Sequence, residues 1–266
     1  MGSRVQYYIT SVLLLALTWS CTKNKTVEEK PYVLSYGDSI FYVNPDLGSD
    51  FVIRPTEVRP GTYIGFPDGV EIDDDDGSIK INNSESGLRY KITHISPEGD
   101  STSTLIVISG LNFLDKIYNL SNNDTLAIPI YNANGQAYQP GLFGTGTNNT
   151  FDDGNWCNGA GCAVSLANGS INLAQSMRNG ALTTLNDDQK EFTYYYRMDD
   201  PSQKKLNKLK IKLYYYATQA DIPQYLWDIL LIDHAGTILR TRGQQRTGGT
   251  DRLARPRPPC IIIVGQ

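Results

Sequence analysis

The chain repeats itself. Tyr32-Val33-Leu34-Ser35-Tyr36-Gly37-Asp38-Ser39-Ile40 aligns with Tyr118-Asn119-Leu120-Ser121-Asn122-Asn123-Asp124-Thr125-Leu126 on the pattern Y-x-L-S-x-x-D-[ST]-[IL], at an offset of 86. Further on, Gly77-Ser78-Ile79-Lys80-Ile81-Asn82-Asn83-Ser84 aligns with Gly169-Ser170-Ile171-Asn172-Leu173-Ala174-Gln175-Ser176, at an offset of 92. Two matches in the same order predict two copies of one supersecondary unit, because each copy must bury a similar apolar face. The change in offset predicts an insertion in the second copy. Gly141 to Gly161, rich in Gly and Asn and carrying two cysteines, is where it fits.

Each copy reads as all-β. Leu209, Ile211 and Leu213 alternate with Lys208, Lys210 and Lys212, and Leu88, Tyr90 and Ile92 alternate with Arg89, Lys91 and Thr93. That period of two puts one apolar and one polar face on a strand. Leu105-Ile106-Val107-Ile108 reads as a short buried strand. Asp76-Gly77, Glu98-Gly99, Asn134-Gly135 and Asn168-Gly169 supply turns, since these residues tolerate positive φ. Two consecutive β-sandwich modules follow, at 31–112 and 113–218. Asp221 to His234 is the one clear helical pattern: Tyr225, Leu226, Ile229 and Leu230 share a face, with Asp221 as N-cap and Pro223 in the first turn. A short helix is therefore expected within 219–235.

The segment Pro67-Asp68-Gly69-Val70-Glu71-Ile72-Asp73, followed by Gly77-Ser78-Ile79, resembles the P-x-G-[LV]-x-[LI]-D-x-x-x-G-x-I signature of Ig-like (cadherin-like) domains in bacteria. The second copy keeps only Gly169-Ser170-Ile171. Together with the N-terminus described next, the chain is similar to Bacteroidetes surface lipoproteins with tandem Ig-like domains. That resemblance implies a fold and a location, and it brings no catalytic residues.

Arg4 is the only charge before residue 23, and an apolar run of 13 residues, Tyr7 to Trp19, follows it. About 20 residues are needed to span a bilayer, so residues 1–20 read as a signal peptide. Leu17-Thr18-Trp19-Ser20-Cys21 resembles a lipobox, which implies lipidation of Cys21 and a membrane held through that lipid. Residues 21–30 then form a polar tether. The expected location is the cell envelope, as an outer-membrane lipoprotein facing the surface or the periplasm.

Charge narrows the partners. Residues 21–239 carry 17 Lys+Arg against 27 Asp+Glu, a net of −10 that six Arg beyond residue 239 conceal in the whole-chain value of −4. An acidic body argues against nucleic acid, whose binding needs cations on phosphates. Residues 236–266 change composition: no Lys occurs after Lys212, and Arg, Gly and Pro crowd the stretch before Cys260-Ile261-Ile262-Ile263-Val264. The expectation is a disordered tail foreign to the two repeats.

Cys157 and Cys162 bracket a six-residue, Gly-rich loop that suits a local disulfide in an oxidising compartment; no second Cys pair or nearby His completes a zinc site. Asp73, Asp74, Asp75 and Asp76 offer hard oxygen ligands for Ca²⁺, against a plain solvated turn, and Asp152-Asp153 is a second carboxylate pair. No other cofactor is indicated. His94 and His234 are isolated, and no G-x-S-x-G occurs. Trp156 in the inserted loop, with Tyr195 and Tyr215 in the runs Tyr194–Tyr196 and Tyr214–Tyr216, offers aromatic faces for a ligand, although strands favour Tyr anyway. The expected function is non-enzymatic: a glycan- or protein-binding or spacer module. The alternatives are an accessory subunit of a polysaccharide uptake system and a glycan-processing enzyme with paired carboxylates.

Overall fold

A computed structural model describes residues 31–134, 148–231 and 258–265. The expected signal peptide, the Cys21 anchor, the 21–30 tether and residues 236–257 lie outside the described residues. The described chain is mostly β-strand. Among the described residues, no helix is long and apolar enough to cross a membrane.

The first half contains β1 (Ile40–Phe41), β2 (Val52–Ile53), β3 (Thr62–Phe66), β4 (Ile79–Lys80), β5 (Leu88–Ile95) and β6 (Ser101–Ile108). The second contains β7 (Leu111–Asn112), β8 (Lys116–Asn119), β9 (Leu126–Ala127), β10 (Ile130–Tyr131) and β11 (Thr150–Phe151). Next come helix α1 (Trp156–Gly159), β12 (Ile171–Asn172), helix α2 (Leu173–Arg178), β13 (Asp188–Arg197), β14 (Asn207–Tyr216), helix α3 (Gln224–Leu231) and β15 (Cys260–Val264). One sheet runs β1-β6-β5-β3 and another β11-β13-β14-β15-β8. The pairs β2-β4, β12-β9 and β10-β7 form small sheets beside them.

Each large sheet is built on a long antiparallel hairpin, β5–β6 or β13–β14. Alternation in the sequence sets their faces. Leu88, Tyr90 and Ile92 are buried, as are Leu209, Ile211 and Leu213, while Lys208 and Lys210 face water.

The repeat at offset 92 is reproduced bond for bond. In the first half Asp73 N donates to Ser78 O and Gly77 N to Asp73 O; in the second Ser165 N donates to Ser170 O and Gly169 N to Ser165 O. Ile72 bridges Ile79 as Val164 bridges Ile171. Gly77 and Gly169 sit at φ 71° and 73°, and a Cβ there would lie 2.6 Å from Tyr63 and 2.7 Å from Phe151. A side chain is thus excluded twice over, by backbone conformation and by a ring pressed on the turn. From Tyr63/Phe151 to Gly77/Gly169 the offset grows from 88 to 92, so the extra chain falls where α1 forms. The match at offset 86 has no such counterpart. Ile40 lies in β1, parallel to β6, whereas Leu126 lies in β9, antiparallel to β12.

The C-terminal segment corrects the sequence reading. Cys260–Val264, expected within a disordered 236–266 tail, is the strand between β14 and β8, parallel to both. Its residues are 0–2% exposed. Ile261 and Ile263 enter the core shared with Phe192, Ile211 and Leu213. Cys260, Ile262 and Val264 enter a second cluster with Tyr214, Tyr216, Ile222 and Leu226. A strand covered on both faces needs no alternation and reads as a plain apolar run. Parallel neighbours need a long crossover, commonly helical, and α3 lies in the connection from β14 to β15. The expected helix in 219–235 is therefore present. Thr218 and Asp221 close a capping box just ahead of it, and it covers the outer face of β14 and β15.

The halves are bolted together, and Val33–Gln266 forms one compact unit. Asp200, held within the second half by Tyr131 Oη at 2.6 Å and by Ser202 Oγ on its other oxygen, accepts across the junction from Ser109 Oγ at 3.3 Å. Tyr196 Oη accepts from Leu111 N at 3.0 Å and shares a hydrogen bond with Ser86 Oγ. Lys205 pairs with Asp46, and Arg89 donates to Ala133 O.

Two predictions follow from this packing. Ile263→Ala removes apolar volume from a strand held on both faces, and a loss of about 2–5 kcal/mol is expected from the urea midpoint at unchanged m. Buried tyrosines set the alkaline limit. Burial pushes the Tyr196 phenol up from 10.0 to about 12, and burial, followed by the Asp200 contact, raises Tyr131. The unfolded chain then releases protons that the folded chain keeps. Stability is full below pH 10 and falls above it by about 1.4 kcal/mol per pH unit for each such tyrosine, until the folded phenol ionises. Denaturant midpoints measured from pH 9 to 12 should fall steadily.

Candidate functional site

The inserted stretch builds one surface feature. Asp152, 3% exposed, accepts from Cys157 N at 2.8 Å, Asn158 N at 2.9 Å and Asn158 Nδ2 at 2.8 Å. Its carboxylate thus satisfies the open amides of the single turn α1. Asn158 ties that turn to Val164, donating to its carbonyl and accepting from its amide. Held this way, Trp156 stands 64% exposed. Its ring lies 6.1 Å from that of Tyr195, tilted by 50°. Beside them Arg197 Nε meets Asp153 at 2.6 Å, and Asp153 N donates to Tyr195 O.

Tyr195 leads into a cleft. Its cross-strand partner is Lys208, and Lys208 lines a concavity of about 800 Å³ between the halves. One wall is Gly69–Glu71 and Asn82–Ser86 from the first half; the other is Glu191 and Asn207–Lys210, with Pro258 at the margin. The lining is amides, hydroxyls and charges, and Val70 and Leu209 are its only aliphatic side chains among the described residues apart from Pro258. Ser86 Oγ donates to Asn207 Oδ1 across the two walls. Ser84 Oγ donates to Lys80 O and accepts from Glu71 N, so the first wall is braced from behind. Glu71 pairs with Lys80 at 3.1 Å and Glu191 with Lys210 at 2.8 Å, which leaves these two carboxylates beside ammonium groups; a third, Glu85, stands on the first wall, its backbone carbonyl accepting from Tyr90 Oη.

The other residues singled out from the sequence fall elsewhere. Tyr215 is a correction: it is 8% exposed and packs in the core with Phe192 and Ile263. Tyr214 and Tyr216, which alternation alone would turn outward, are buried beneath α3. The three-tyrosine run is therefore covered on both faces. Asp73, Asp74 and Asp75 bring carboxylate oxygens within 4.8 Å of one another and are exposed. Asp73 Oδ1 accepts from Asp75 N and Asp76 N; Asp76 accepts from Ser78 N and pairs with Arg54 at 2.5 Å. The Ser78 hydrogen bonds and then Arg54 hold the Asp76 carboxyl below its ordinary range. Those bonds are what an acidic turn of this shape needs for itself. His94 is buried, its ring 4.7 Å from that of Tyr63 and tilted by 51°, and bonded to Pro60 O, which is a core role. Cys21 and His234 lie outside the described residues.

Sequence reasoning missed Asp152 as the support of α1, and it missed the whole cleft. The first carried one signal, an Asp five residues ahead of the turn it caps. The second carried none, because its walls are more than a hundred residues apart in the chain. The chain matches no family model and no curated protein.

Cys157 and Cys162 are both fully buried thiols. They share a hydrogen bond which, together with burial, pushes the Cys157 thiol up. Cys162 N also donates to Cys157 O at 2.9 Å, so the loop is closed before any covalent bond forms. In an oxidising compartment the expected outcome is a disulfide. Alkylation of the unfolded, unreduced chain should then label Cys260 but neither Cys157 nor Cys162. Replacing both by Ala should cost about 2 kcal/mol, the loop entropy of a six-residue ring, read from the urea midpoint.

Proposed function

We propose that this chain is an exported, lipid-anchored surface protein of non-enzymatic type, built from two Ig-like β-sandwich halves, that binds a glycan in the cleft between them. The observation that carries this reading is the exposed Trp156 beside the half-buried Tyr195, leading through Lys208 into a polar cleft. Sugars present apolar C–H faces to aromatic rings and hydroxyls to amides and carboxylates, and this surface offers both in sequence. An open groove lined by Asn, Ser, Glu and Lys suits a polar ligand, which can satisfy those groups, better than an apolar one. The non-enzymatic reading draws support from two of the cleft's three carboxylates: Glu71 and Glu191 are paired with lysines instead of facing one another across it. The ties through Asp200 and Tyr196 favour a fixed cleft over a hinged one, which suits a binding module.

An array of polysaccharides and oligosaccharides tests the reading, followed by reducing-sugar release on any hit. Saturable binding without release is expected, and Trp156→Ala should weaken it about tenfold, or ~1.4 kcal/mol, with thermal stability unchanged. Binding to no glycan, or equal binding by Trp156→Ala, defeats the glycan assignment. Sugar release defeats the non-enzymatic one. For the anchor, feeding cells an alkyne fatty acid should label the wild-type chain and leave Cys21→Ser unlabelled.

A further inference from the structure

The two halves close their large sheets differently. In the first, β1 lies directly against β6, parallel to it, with Ile40 opposite Val107 and Phe41 opposite Ile108. In the second, the place parallel to the last hairpin strand belongs to β15, and β8 stands one position further out. The second half therefore has a slot, between β8 and β14, that its own consecutive strands do not fill. The strand filling it is β15, which the chain reaches only after α3 and a long connector.

What holds β15 there is generic. Its edges pair with Lys116–Asn119 on one side and Lys212–Tyr216 on the other. Lys212 N donates to Pro259 O and Gly265 N to Tyr216 O, framing the insert at both ends. Asp115 Oδ1 accepts from Cys260 N at 2.7 Å. Backbone pairing and apolar burial act equally on an identical strand from another molecule. Reach is not a barrier. Residues 232–257 give 26 residues between α3 and Pro258, about 90 Å when extended, whereas a body of this length is about 45 Å across. Charge favours the same outcome. Those 26 residues hold six Arg against Asp233 and Asp251, while residues 21–239 carry a net of −10. A connector crossing to a second copy brings positive charge between two acidic bodies.

We propose that Cys260–Val264 is an exchangeable strand, and that two copies of this chain associate by trading it into one another's slot between β8 and β14.

Lys212 and Cys260 are directly paired across that slot, so Lys212→Cys reports whose strand occupies it. In the full chain with Cys21→Ser and Lys212→Cys, unfolded and refolded across a concentration series, mild oxidation links position 212 to Cys260. The connector sets a local strand concentration of about a millimolar. Refolding at about 1 µM should therefore give cross-linked monomer, and refolding near a millimolar should give covalent dimer as a major band. Adding Cys260→Ser should remove that dimer. The unsubstituted chain checks the result without the new cysteine: co-refolding ¹⁵N-labelled and unlabelled protein should yield mixed dimers by native mass spectrometry, while mixing the two after folding should not. Cross-linked monomer alone at every concentration, with no mixed dimer, overturns the proposal. So does a dimer that persists with Cys260→Ser, which would mean association through another surface.

Discussion

Insertion of Cys260–Val264 between β8 and β14 is the interaction on which the second half depends. Five apolar side chains enter two cores at once, Ile261 and Ile263 on one face and Cys260, Ile262 and Val264 on the other. Burying them is worth roughly 10 kcal/mol of transfer free energy before chain entropy is charged. That is comparable to the whole net stability of a typical domain. Remove the strand, and two parallel edges and both apolar faces are opened together. The same insertion decides the fate of the tyrosine run 214–216, because α3 packs down only where β14 and β15 already form a floor.

What the sequence made legible was what local physics dictates. A strand with one wet face must alternate, so the Leu209/Lys210 and Tyr90/Lys91 patterns located β14 and β5 and their inner faces, although Arg89 on the outer face of β5 is itself buried against Ala133 O. A turn that admits no Cβ must hold glycine, so Gly77 and Gly169 marked equivalent corners 92 residues apart. The rest depended on what covers what. Ile261–Val264 has no polar face because nothing on it touches water, and an Arg- and Pro-rich neighbourhood made it look alien. Tyr215 carried a strand-former's signature in either orientation, and only the sheet's position in the core fixed it as buried. The offset-86 match shows the complementary failure. In the first copy Asp38 caps the amides of Ser39 and Ile40, while its counterpart Asp124 pairs with Lys116, so similar residues serve different pairings.

The candidate site divides in the same way. Trp156 was visible as a large ring in a polar insertion. Its support was not, because Asp152 resembles any loop carboxylate until the amides of α1 converge on it. The cleft exists only through the interface, where Asp200 and the Tyr196 hydroxyl fix the spacing of two walls made by distant segments. Its shape is thus a property of buried hydrogen bonds that touch no ligand, and loosening Asp200 would reshape the cleft while leaving every lining residue in place.

A central strand that follows both of its neighbours in the chain also sets a timetable. Synthesis delivers β8 and β14 long before β15, so the second half must wait with an open slot while some forty further residues are made. During that interval its unpaired edges are exposed to any extended apolar segment nearby. Insertion of β15 closes contacts with β8 that are more than a hundred residues apart along the chain, which makes it slow compared with hairpin formation. A chain ending before Cys260 would keep both neighbouring strands and lack the one that joins them.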